Sequence, residues 1–141
     1  MVALYAVTLF VSAALLFLVQ PLFARMLLPL LGGAPAVWAT AMVFYQAALL
    51  AGYAYAHAST RQLGVRRQAA WHLLILLAPL ACLPLALPAG WTPPTETTPV
   101  PWLLGAMLLT VGLPFFALST TSPLLQAWFA STGERRAADP Y

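Results

Sequence analysis

Long apolar runs separated by short polar stretches set the pattern of this chain. The runs cover about 3–31, 36–58, 70–87 and 101–129, and each is long enough to cross a hydrocarbon core of about 30 Å as a helix rising about 1.5 Å per residue. The first run passes Gln20, Pro21 and Arg25 before ending near Leu31. As one straight helix it measures roughly 43 Å, more than the core thickness, so it must tilt, kink or break. Pro21 supplies a kink point, because it lacks an N–H and its ring clashes with the carbonyl four residues back. Gly32, Gly33 and Pro35 form a turn into the second run. Residues 59–69 form a basic loop, 88–100 a proline-rich loop, and 131–141 a polar tail. The pattern predicts an all-α integral membrane protein, a bundle of four transmembrane helices over residues 1–130 followed by a cytoplasmic tail.

Composition supports this reading. With 62% hydrophobic residues, 6% charged residues and a mean hydropathy of +0.87, the 141-residue chain has too little polar surface to cover a soluble domain. The bilayer is then its first partner. The +3 charge and pI near 9.5 do not imply nucleic acid, because Arg61, Arg66 and Arg67, then Arg135 and Arg136, flank apolar runs rather than lining a soluble face. Short basic loops stay in the cytoplasm, which places 59–69, the tail and both termini inside a bacterial inner membrane. The Gly32–Gly33 turn and the loop at 88–100 then lie outside. Trp38, Trp91 and Trp102 mark the outer interface, and Trp71 and Trp128 the inner one. Residues 2–24 hold no basic n-region, so the first helix is expected to be retained rather than cleaved.

The second run carries two stripes. At 100° per residue Gln46, Tyr53 and His57 fall within roughly 40° of one another, so an amide, a phenol and an imidazole should face protein or a wet cavity rather than lipid. Gln46 suits either an interhelical hydrogen bond or a substrate contact, and His57 either interfacial solvation or proton relay. Ala48, Gly52 and Ala56 form a row of small residues that lets another helix approach closely. Gly105, Gly112 and Ser119 recur every seven residues and predict a second packing seam. Arg25 either snorkels to the outer headgroups, binds an anionic group inside the bundle, or pairs with a carboxylate in a further part of the chain.

Pro21 beside Gln20 and Pro123 before Gln126 interrupt the first and last runs at similar places, as the broken helices of a transporter site do. Gln20, Arg25, Gln46, Tyr53, His57 and Gln126 are accordingly the candidate cavity residues. No phosphate-cradling glycine motif and no nucleophilic triad can be assembled, so the chain offers no catalytic machinery. His57, His72 and the lone Cys82 do not make a metal site, and no cofactor is implied.

Two resemblances follow from these residues. Arg61-Gln62-Leu63-Gly64-Val65-Arg66-Arg67 is similar to the basic Gly-Arg-Arg loop between helices two and three of major facilitator transporters, though without its acidic residue. Gln20-Pro21-Leu22-Phe23-Ala24-Arg25, Pro35-Ala36-Val37-Trp38, Phe44-Tyr45-Gln46, Gly52-Tyr53-Ala54-Tyr55-Ala56-His57 and Thr121-Ser122-Pro123-Leu124-Leu125-Gln126-Ala127-Trp128-Phe129 resemble membrane-embedded spermidine-synthase-like proteins. That resemblance implies an incomplete facilitator-like helical domain, with further helices or a cytosolic Rossmann-type, aminopropyltransferase-like domain as partner. It makes the chain an N-terminal membrane domain, an anchor or transport-like module. The open alternatives are a subunit of a small-molecule transporter, with polyamines as candidate cargo, and a structural assembly protein.

Overall fold

The computed structural model describes residues 2–87, 89–95 and 98–132, which are mostly helical and contain no strand. Helix α1 spans Val2–Leu31 and α2 spans Pro35–Leu77, continuing as a 3₁₀ turn over Ala78–Cys82. Helix α3 (Val100–Met107), a π-helical turn (Leu108–Gly112) and α4 (Leu113–Ala130) join end to end as one rod.

Three helices, not the expected four, are long and apolar enough to cross a membrane: Val2–Leu31, Pro35–Cys82 and Val100–Ala130. The segments expected at 36–58 and 70–87 belong to one helical element, because the intervening basic stretch is itself helical apart from Gly64. Gly64 has φ 66° and ψ 161°, a region open essentially to glycine alone. The chain reverses there. In a straight helix residues nine apart lie about 13.5 Å from each other, yet Gln68 Nε2 donates to Ser59 Oγ at 2.8 Å and to Thr60 Oγ1 at 2.9 Å. The two limbs, 35–63 and 65–77, therefore fold against each other. The second is also shorter than expected: α-helix gives way after Leu77 to the 3₁₀ turn containing Pro79, which has no N–H to continue the ladder.

Helix α1 is continuous through Pro21 and Pro29, and α4 through Pro123, so neither contains the unwound segment that a broken-helix site needs. The real irregularity is the π turn. Pro114 follows it, and the proline ring excludes the carbonyl of Thr110, which lies inside the turn. The wider turn rotates Gly105 off the line of Gly112 and Ser119, so the expected seven-residue seam is split. Gly112 lies within van der Waals reach of Phe44 (3.7 Å from a Cβ built on the glycine), whereas Gly105 lies under Trp91 of the proline-rich connection at 3.4 Å.

The rod from Val100 to Ala130 is the centre of the bundle. Leu103, Met107, Val111, Phe115 and Leu124 are fully buried, and Phe23, Leu27, Val37 and Tyr45 close over the first four of these. Burial of each such side chain contributes roughly 1.5–3 kcal/mol against water, but less against lipid, where close packing carries the association. Helix α1 runs antiparallel to α4: Tyr5 stacks near Phe129 (centroids 5.2 Å apart), and Ser12 donates to the Leu118 carbonyl at 3.4 Å. The first limb of α2 runs parallel to α4, with Tyr45 beside Phe115 and Gly52 beside Ser119. The N-terminal end of α1, the Gly64 turn and Trp128 thus share one end of the bundle. Leu85 and Leu87 tuck against the core from the opposite end, as irregular chain where helix to residue 87 was expected.

Candidate functional site

The candidate residues from the sequence separate into three places. Gln20 and Arg25 line a half-open cleft of about 380 Å³ between α1 and the start of α2, together with Trp38, Met42 and Tyr45. Tyr53 and His57 line a second hollow of about 340 Å³ at the Gly64 end, with Thr60, Arg61 and Pro123. Gln46 is exposed and lines neither. Gln126 is exposed as well, its amide 3.4 Å from the Ser122 hydroxyl on the preceding turn. The stripe of Gln46, Tyr53 and His57 therefore points outward, with Tyr53 at 52% exposure. The buried face of this limb is the row of small residues: Gly52 and Ala56 are buried and Ala48 is partly so. The sequence could establish that the two stripes differ in face, but not which one meets α4.

The cleft is built from opposed features. Its walls are apolar, contributed by Phe23, Leu27, Leu28 and Val37, whereas its polar groups are few and come from Gln20, Arg25 and Tyr45. Arg25 is exposed at the cleft, six residues before the end of α1, or about 9 Å from the Gly32 turn. Glu96, Glu134 and Asp139 all lie outside the described residues, so no carboxylate among those described faces it. Tyr45 was not among the sequence candidates. It is 5% exposed with its ring 4.8 Å from that of Phe115, and its hydroxyl has no hydrogen-bond partner among the described residues. A buried unpaired hydroxyl costs about 1–3 kcal/mol, which makes Tyr45 a polar group awaiting a partner.

A third polar cluster escaped the sequence reading. Gln68 is 1% exposed and uses its amide fully: Nε2 donates to Ser59 and Thr60, and Oε1 accepts the Trp128 indole N–H at 2.7 Å. One turn along, His72 is 3% exposed, with Nδ1 3.5 Å from Thr120 Oγ1 and Nε2 3.3 Å from Thr121 Oγ1. Both threonine hydroxyls donate to the Ala117 carbonyl, at 2.8 and 2.9 Å. The signal was present as Gln68 and His72 four residues apart, hence on one face, opposite the Ser119–Ser122 run. It was obscured because the basic stretch around it looked like a loop.

The Gln68 amide is fully paired and each His72 ring nitrogen lies near a threonine hydroxyl, so the cluster acts as a clasp holding the Gly64 reversal against α4 rather than as an open site. Among the described residues no three His, Cys, Asp or Glu side chains come together. The cleft can hold a molecule with an anionic or hydrogen-bond-accepting head and an apolar body, since it offers one cation and one amide on an apolar wall. No protein-family model, no curated protein and no solved structure matches this chain.

Proposed function

We propose that the chain is the membrane domain of a spermidine-synthase-like protein and serves as an anchor for a partner domain, either further helices or a cytosolic aminopropyltransferase-like unit. Its place is a bacterial inner membrane, with the Arg61, Arg66 and Arg67 end of the bundle toward the cytoplasm. The observation that supports anchoring over transport is the dispersal of the polar candidates. Gln20 and Arg25 lie in the cleft, Tyr53 and His57 in the hollow toward the Gly64 end, and Gln46 on the outer face. The most buried polar side chains are consumed in the Gln68 and His72 clasp. A transport-like role draws on one observation, the Arg25 cleft, which is large enough for a small solute.

The two readings part under substitution. A reporter domain fused to the C-terminus should remain with the membrane in Gln46→Leu and Arg25→Leu, with polyamine flux in cells unchanged. Loss of flux in both variants at unchanged protein level would replace the anchor reading by transport. Release of the reporter from wild-type membranes would remove the anchor reading altogether.

A further inference from the structure

We infer that the cleft between α1 and α2 is a binding site for an anionic phospholipid, whose phosphate pairs with Arg25 while an acyl chain lies along the apolar wall. This rests on the membrane setting of the proposed function and not on what the anchor carries.

Three observations carry it. First, Arg25 is a cation on an otherwise apolar helix surface, lining a cleft and facing no described carboxylate. A guanidinium meets phosphate through paired N–H donors, and its weak hydration lets it do so near the acyl boundary. Second, the depth fits a headgroup. About 9 Å separates Arg25 from the Gly32 turn, less than two helical turns, so the residue lies near the end of α1 rather than at its middle. Third, the remaining polar groups fit an ester region. Gln20 lies five residues deeper on α1, where its amide can donate to an ester oxygen, and the Tyr45 ring on the opposite wall adds to the apolar surface, its hydroxyl being enclosed.

The apolar wall selects lipid over a free anion. Phe23, Leu27, Leu28, Val37 and Met42 give a soluble phosphate nothing to pair with, whereas they suit a hydrocarbon chain. The half-open form of the cleft gives entry from the side. The hollow at Tyr53 and His57 also has a cation, Arg61, but every polar residue lining it is exposed, and no unpartnered buried group there asks for a ligand.

The test uses the full chain purified in mild detergent and native mass spectrometry with phosphatidylglycerol and phosphatidylcholine of identical acyl chains. One basic side chain near a headgroup corresponds to about fivefold selectivity, so wild type should retain phosphatidylglycerol about fivefold over phosphatidylcholine. Arg25→Gln should bring the ratio near one and Arg25→Lys should keep most of it. Equal retention by wild type, or unchanged selectivity in Arg25→Gln, overturns the proposal. Displacement of phosphatidylglycerol by millimolar inorganic phosphate also overturns it, in favour of a free-anion site. In nanodiscs, brominated phosphatidylglycerol should quench tryptophan emission more than brominated phosphatidylcholine, and Trp38→Phe should remove the difference; a difference that survives this change overturns the assignment to this cleft. The reporter assay above separates the outcomes: no selectivity in wild type with a retained reporter overturns the lipid site alone, and a released reporter with selectivity intact overturns the anchor reading alone.

Discussion

Gly52 lies directly against Ser119: a Cβ built on the glycine would stand 2.9 Å from the Cβ of Ser119 and 3.3 Å from its carbonyl carbon. The first limb of α2 and α4 meet here with almost nothing between their backbones. Gly52→Ala should therefore destabilise the bundle by about 1–3 kcal/mol, the cost of overpacking a tight contact. Adding Ser119→Gly should recover part of that loss, because it removes the nearest atoms. Unfolding in mixed micelles followed by circular dichroism checks both, and an additive double variant would contradict the contact.

Gly64 turns the chain at φ 66° and ψ 161°. Gly64→Ala places a Cβ in a conformation that costs about 1–3 kcal/mol. The expected outcome is lower resistance to detergent unfolding, together with faster proteolysis near Arg61, Arg66 and Arg67. Nothing lies within 4 Å of the position a Cβ would occupy, so any effect arises from backbone conformation rather than from a clash.

Removing the Gln68 amide strands the Trp128 indole N–H and unclips Ser59 and Thr60. Gln68→Leu should cost about 1–3 kcal/mol by leaving a buried donor unpaired. Trp128→Phe in the Gln68→Leu background should add little, since the donor it removes is already unpaired. The same micelle titration reads the non-additivity.

Tyr45→Phe is predicted to be neutral or to stabilise the lipid-free protein by about 1 kcal/mol, because the deleted hydroxyl has no partner among the described residues. A strongly destabilising Tyr45→Phe without lipid would show that the hydroxyl is already bonded within the protein.

The long apolar helices were legible because they leave a composition signal that needs no tertiary information: extended apolar runs with most arginines at their borders, Arg25 excepted. The Gly32 turn was legible too, since Gly32 takes φ 66° and its N–H bonds the Leu28 carbonyl at 2.9 Å, as a helix-ending glycine does. Two things were not. The arginines on both sides of Gly64 are helical, and the reversal shows only in the Gly64 backbone and in the pairing of Gln68 with Ser59 and Thr60. Nor could periodicity rank the faces of α2, because in a membrane a polar stripe and a small-residue stripe are both unsuited to lipid. Packing decided for Gly52, leaving Gln46 outside. The cleft was half legible: Gln20 and Arg25 were singled out from sequence, while Tyr45 emerged only when its hydroxyl proved both buried and unpaired.

The central claim is that these helices have lipid as their solvent, and alkaline carbonate extraction of membranes from cells expressing the tagged chain tests it most directly. The account predicts that the protein stays in the pellet and enters solution only with detergent. A monodisperse, helical monomer in the detergent-free supernatant would contradict it.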